Sequence, residues 1–148
     1  VITTEDTPLE IGKGQILYRP EGIAHVAIIA TGALVANALR AAKDLEEKKH
    51  IKVIVVNIHT IKPLDEELII KVAKEAKAVV TVEEHQIVGG LGGAVAECLA
   101  KSAPPPIEFI GVQDQFGQSG TPKELIEHYG MGRDAIEQAV LKLIERKV

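Results

Sequence analysis

Short apolar runs and amphipathic stretches alternate along this chain. His25 is followed by the continuous run Val26-Ala27-Ile28-Ile29-Ala30, which Thr31-Gly32 closes. Runs of this kind suit a strand buried on both faces. Leu34, Val35, Ala38, Leu39, Ala42 and Leu45 then recur at helical spacing. Charged residues fill the opposite side, as on a helix covering a sheet. The unit recurs: Ile51 to Ile58 is apolar and β-branched, and Asp65 can begin a helix carrying Leu68, Ile69, Val72, Ala73 and Ala76. Ala78 to Val82 predicts a third strand, followed by Gly89-Gly90-Leu91-Gly92-Gly93 and a helix of small residues to Ala100. Pro104-Pro105-Pro106 breaks that helix before a strand from Ile107 to Val112. Two helices close the chain, Pro122 to Tyr129 and Asp134 to Lys147.

Strands alternating with helices imply βαβ crossovers. The expected fold is therefore α/β: a three-layer α/β/α sandwich, with a mostly parallel sheet of about five strands and helices on both faces. Residues 1–22 are punctuated by Pro8, Gly12, Gly14, Pro20 and Gly22, and only Gln15 to Arg19 could form a strand. They read as a linker that ends in an antiparallel edge strand, and residues 23–148 as the domain proper.

Composition narrows the function classes. The chain has 148 residues, enough for one domain, and a chain of this size buries roughly 68–70% of its unfolded surface. A net charge of −4 argues against a nucleic-acid groove or a polybasic membrane surface. One cysteine, Cys98, excludes an intrachain disulfide. It lies on an apolar helix face beside Val95 and Leu99, the setting of an inert core thiol. The single thiol and the polar N-terminus favour a reducing, intracellular setting.

Candidate chemistry gathers where strands end, because open α/β sheets bind ligands beyond the carboxyl ends of their strands. Those ends carry Thr31-Gly32, His59-Thr60, Glu83-Glu84-His85 and Asp114 to Ser119. Glu84 and His85 could form an acid/base pair. A polar rim is also what the fold requires, since its backbone must be solvated or paired. Neighbours on an extended stretch point to opposite sides, which weakens a direct dyad or a shared metal.

The glycine cluster fails the dinucleotide fingerprint, because counting from Gly90 puts Val95 at the last glycine position. Such glycines can expose backbone N–H groups to an anion, but a tight turn and close helix–strand packing are the commoner use. There is no P-loop, and Phe116-Gly117-Gln118-Ser119-Gly120 has the wrong spacing for a nucleophile elbow. His25, His50, His59, His85 and His128 are scattered, with none at metal-ligand spacing. The residues alone describe a packed domain without a self-sufficient active site.

Four stretches resemble one family. Val26 to Gly32 opens the first unit. Val56-Asn57-Ile58-His59-Thr60-Ile61-Lys62-Pro63-Leu64-Asp65 is similar to a D-x-x-T-I-x-P-L-D segment, with Asn57 where Asp is usual. Val82-Glu83-Glu84-His85 through Gly92 resembles a v-E-E/D-H-x-x-x-G-G-L-G rim, and Asp114 to Gly120 with Leu125 and Tyr129-Gly130-Met131 resembles the close D-x-F-G-x-S-G…L…Y-G-L. In this order they resemble the C-terminal domain of transketolase-type thiamine-diphosphate enzymes, over roughly residues 10–147. The close looks more like transketolase than deoxyxylulose-phosphate synthase or the β subunit of 2-oxo acid dehydrogenases.

The resemblance implies a cytoplasmic homodimeric enzyme of the pentose phosphate pathway that moves two-carbon ketol units between sugar phosphates. It would use thiamine diphosphate and a divalent metal, Mg or Ca. The family's G-D-G diphosphate and metal segment is missing here, as is the glutamate that activates the cofactor. No catalytic, cofactor-binding or metal residue is therefore carried over, and the fragment is expected to be inactive. Partners would be a second copy and the upstream thiamine-binding domains or subunit; no nucleic acid or membrane is expected. The start at Val1 fits an excised fragment or the tail of a two-chain enzyme. Glu83, Glu84, His85, Asp114 and Ser119 are assigned as structural or interface positions, under-satisfied until a partner meets the rim. A stand-alone nucleotide or anion-binding module is the competing reading.

Overall fold

A computed structural model describes residues 3–102 and 104–146. Five strands are formed by Gln15–Tyr18 (β1), Val26–Ala30 (β2), Val53–Asn57 (β3), Val79–Gln86 (β4) and Ile107–Val112 (β5). The helices are Val35–Lys49 (α1, entered through a 3-10 turn at Gly32–Leu34), Glu66–Ala76 (α2), Leu91–Ala100 (α3), Pro122–His128 (α4) and Arg133–Arg146 (α5). The sheet order is β1-β3-β2-β4-β5. Only β1 is antiparallel to its neighbour. The α/β/α sandwich read from the pattern is what forms. Lys147, expected in the last helix, lies outside the described residues, as do the first two residues of the linker.

The period-two alternation of strand side chains divides the core in two. Val26, Ile28, Val53, Val55, Val80 and Val82 face α1 and α5, where Leu45, Ile136, Val140 and Leu143 are buried. Ala27, Ile29, Ile54, Val56 and Val79 face α2 and α3, packing on Ile69, Val72, Val95 and Leu99. Each fully buried aliphatic side chain contributes about 1.5–3 kcal/mol. Helices α1 and α2 stop where His50 and Lys77 turn left-handed, at φ 55° and 59°. Thr121 and Glu124 form a reciprocal capping box at the start of α4, with Pro122 in its first turn.

Charges fasten α1 to α5. Asp44 is 3.1 Å from both Lys48 and Arg133, and Arg133 lies 3.7 Å from Glu137. The N-terminal segment is fastened on the β1 side, just beyond the carboxyl end of β3. Gly14 donates its N–H to Asp65 Oδ2 at 2.9 Å, and His59 Nε2 donates to the Glu10 carbonyl at 3.0 Å.

One boundary differs in a way that matters. The third predicted strand ends at Val82, where the apolar run ends, yet β4 continues through Glu83-Glu84-His85 to Gln86. The ladder shifts register after Val82 and resumes with Gln86 opposite Val112. Glu83, Glu84 and His85 thus belong to a strand that overhangs its neighbour β2, which pairs no further than Val82.

Candidate functional site at the carboxyl rim

β2 connects outward through α1 to β3, whereas the chain next returns to the opposite side of β2 to lay down β4. The carboxyl ends of β2 and β4 therefore flank the switch point where doubly wound sheets bind ligands. An open crevice of about 300 Å³ lies there, lined by Thr31, Gly32, Ile61, Glu83, Glu84, His85 and the Gly89-Gly90 turn.

Glu83 dominates this crevice from below. Its residue is 1% exposed. Because it shares a face with Val79 and Thr81, its carboxyl points toward the start of α3. Leu91 donates its N–H to Glu83 Oε1 at 2.8 Å, and Gly92 donates to Oε2 at 2.7 Å. These are two of the four N–H groups that a helix start leaves unpaired, and the helix dipole favours negative charge at that end. The glycines make the approach possible. A Cβ at Gly90 would fall on Glu83 Oε1, and one at Gly92 would sit 2.8 Å from the Phe109 ring and 3.2 Å from Glu83 Oε2. The tight packing expected of the cluster and the anion contact considered beside it both occur, with the anion supplied by the protein itself.

The five rim candidates do not form one site. Glu83 is buried and satisfied, which corrects the expectation that it is left wanting a partner. Glu84 is exposed, and its side chain makes no hydrogen bond or ion pair among the described residues. His85 points to the side of Glu83, with Nδ1 donating to the Gln86 carbonyl at 2.9 Å and lying 4.0 Å from Glu83 Oε1. The i, i+2 relation, not the adjacency of Glu84 and His85, sets which side chains meet. Asp114 and Ser119 sit on the exposed loop after β5.

That loop is fastened by Gln86 and Tyr129. Asp114 N–H donates to Gln86 Oε1 at 2.8 Å, and Gln86 Nε2 donates to the Gln115 carbonyl at 3.2 Å. Tyr129 Oη donates to the Phe116 carbonyl at 2.9 Å and accepts from Gln118 N–H at 2.8 Å. Gln86 and Tyr129 carry no sequence signal for this role beyond their place in the quoted segments. Cys98 is 2% exposed on α3, and burial pushes its thiol up from the ordinary range.

A diphosphate cofactor with its metal does not fit these residues. Two of the N–H groups that would cradle a phosphate at α3, those of Leu91 and Gly92, are taken by a carboxylate. A like charge at 4 Å costs a phosphate oxygen about 4 kcal/mol at an effective dielectric constant of 20. Among the described residues no three His, Cys, Asp or Glu side chains group as metal ligands. Nor is any described helix long and apolar enough to cross a membrane.

The geometry defines a doubly wound α/β domain that sets its own acid, Glu83, against the start of α3 at the carboxyl rim. A family model for the transketolase C-terminal domain matches residues 12–136, so the chain belongs to that family. It is 41% identical to 6-deoxy-6-sulfo-D-fructose transketolase subunit SqwH of Clostridium sp. (strain MSTE9), across 99% of this chain and 44% of that protein. It is 39% identical to 1-deoxy-D-xylulose-5-phosphate synthase of Heliobacterium modesticaldum, across 95% of this chain and 21% of that one. Among solved structures, a split-gene transketolase described as an inactive β4 tetramer superposes with a TM-score of 0.91 at 42% identity, over 100% of this chain and 47% of its own. The chain therefore spans less than half the length of these relatives.

Proposed function

We propose that this chain is the non-catalytic C-terminal domain of a transketolase, supporting assembly of a cytoplasmic enzyme that transfers two-carbon ketol units between sugar phosphates. The observation that carries this reading is the Glu83 plug. At the position where this architecture takes an anionic ligand, the domain satisfies its helix start internally and offers no phosphate or metal set in its place. Thiamine diphosphate and its metal would then be held by other domains or a second subunit, and the role left to this domain is to meet them and a second copy of itself. The plug also weighs against the stand-alone nucleotide module.

Sedimentation equilibrium of the chain, alone and mixed with the thiamine-binding portion of a split transketolase, tests the reading. We expect a dimer alone and ketol transfer only on mixing. A monomer that ignores the added portion would overturn it, as would stoichiometric thiamine diphosphate binding by the chain itself in calorimetry. The likeness to deoxyxylulose-phosphate synthase supports a second reading, the same domain in that enzyme; the reaction restored on mixing separates the two.

A further inference from the structure

We propose that the carboxyl rim, on its β4–β5 side, is a docking face for a non-identical protein surface, one that interleaves apolar side chains with lysine or arginine, with Phe116 as the anchor that packs among them. This rests on the assembly role above and adds the chemistry of the partner.

The distribution of exposed apolar side chains points to this rim. Seven large hydrophobic residues are exposed among those described, and five of them, Leu9, Ile11, Ile61, Val88 and Phe116, stand on segments at the carboxyl end of the sheet. Ile61 follows β3, Val88 follows β4, Phe116 follows β5, and Leu9 and Ile11 lead into β1, which runs antiparallel from that end. Scattered single exposures are ordinary, but Val88 and Phe116, on the loops after the neighbouring strands β4 and β5, are the two most exposed of the seven and stand side by side on this rim.

Phe116 is 96% exposed. The loop that displays it is nonetheless tied down on both sides, by Gln86 and by Tyr129. A ring held out on a fastened loop has already lost the chain entropy that docking would otherwise cost. Burying it removes about 150–250 Å² from water, on the scale of an interface hot spot.

Charge selects the partner. On the β4–β5 side of the rim and on α4, exposed Glu84, Asp114, Glu124 and Glu127 stand against Lys123, with His85 and His128 beside them. A second copy docking through the same face about a two-fold axis would oppose acid to acid. A surface that interleaves cations with apolar side chains pairs with it instead.

The test uses the labelled chain and two peptides of equal length, one alternating Lys with Leu and one alternating Glu with Leu. Amide shifts are followed during titration. We expect saturable shifts at Ile61, Val88 and Phe116 with the Lys peptide only, weakening as salt rises. Phe116→Ser should reduce affinity at least tenfold while amides away from the loop stay in place, whereas Ile23→Ser, at the amino end of the sheet, should leave it unchanged. Equal binding of both peptides, shifts centred elsewhere, no saturable binding, or a dimer that dissociates on Phe116→Ser would each overturn the proposal. Ketol transfer on reconstitution is a separate readout. Its loss with the peptide result intact removes the enzyme assignment and leaves the docking face.

Discussion

Two helices begin at the carboxyl rim with an acid beneath them, and the acids do different work. At α2 the acid is local: Asp65 is the N-cap residue, and its Oδ1 accepts from Leu68 N–H at 3.2 Å while Oδ2 accepts from Gly14 N–H at 2.9 Å. At α3 the N-cap is Gly90, without a side chain to offer, and the acid comes from the preceding strand, eight residues before Leu91. A local cap fixes where a helix starts. The distant one also fixes the helix against the sheet, because strand and helix share the same carboxylate. The first leaves one oxygen to hold a strap, whereas the second spends both oxygens on the helix and takes two N–H donors away from the crevice.

The largest effect should come from breaking the distant cap. Glu83→Ala strands two buried N–H groups and leaves a void, and hydrogen bonds to charged groups are worth about 1.5–3 kcal/mol each. We expect a loss of about 2–4 kcal/mol in urea unfolding. Gly90→Ala should cost about 1–3 kcal/mol in the native chain, through the clash with Glu83 Oε1. In the Glu83→Ala background that cost should shrink by about 1 kcal/mol or more, since neighbours in contact couple. Strictly additive losses would mean that Glu83 does not sit on the Gly90 Cα, and the plug would have to be abandoned.

The contrast also marks what the sequence could reveal. Asp65 follows Pro63-Leu64 and precedes Glu66-Glu67, so a helix start is legible within five residues. The same holds for Thr121-Pro122 at α4. Glu83 was visible as a rim acid, but not as a cap. The apolar alternation that identifies β4 stops at Val82, and nothing local says that the strand continues through a register shift. Pairing an acid with a glycine-rich turn seven residues on requires knowing that the turn folds back over the strand end. The exposure of Phe116 was equally hidden, because an aromatic residue is read as core unless its loop is known to project. Fold class, by contrast, depends on periodicities repeated along the whole chain, and those survive errors of several residues at element ends.

Breaking the local cap should cost less. Asp65→Ala removes an N-cap, worth about 0.5–2 kcal/mol, and frees the Gly14 amide. We expect about 1–2 kcal/mol overall, with faster hydrogen exchange at Gly14 and in the first turn of α2 and none of that change in α3. Exchange rising equally in both helices would show that the two caps belong to one cooperative unit, and the comparison would lose its force.

The smallest effect sharpens a different point, that charge on this protein can be built against stability as well as for it. Burial, and next the charge of Asp44, pushes the Glu137 carboxyl up from its ordinary range. Asp44 moves the other way, held down chiefly by its hydrogen bond with Lys48. The signs then oppose. A carboxylate held down in the folded state stabilises above its unfolded value, about 3.9 for Asp, and that contribution is lost as pH falls through the folded value. A carboxylate pushed up does the reverse. The folded state binds its proton more tightly, so stability declines as pH rises from about 4.3, the unfolded Glu value, through the folded one. Glu137→Gln removes the decline and also removes the contact with Arg133 at 3.7 Å. Because partly exposed pairs are worth little, about 0.2–1 kcal/mol, the lost contact should not outweigh the relief. We expect the variant to match the native chain at pH 4 and to exceed it by a few tenths of a kcal/mol at pH 7. A variant that weakens as pH rises from 4 to 7 would show that Arg133 rewards the charge more than burial penalises it.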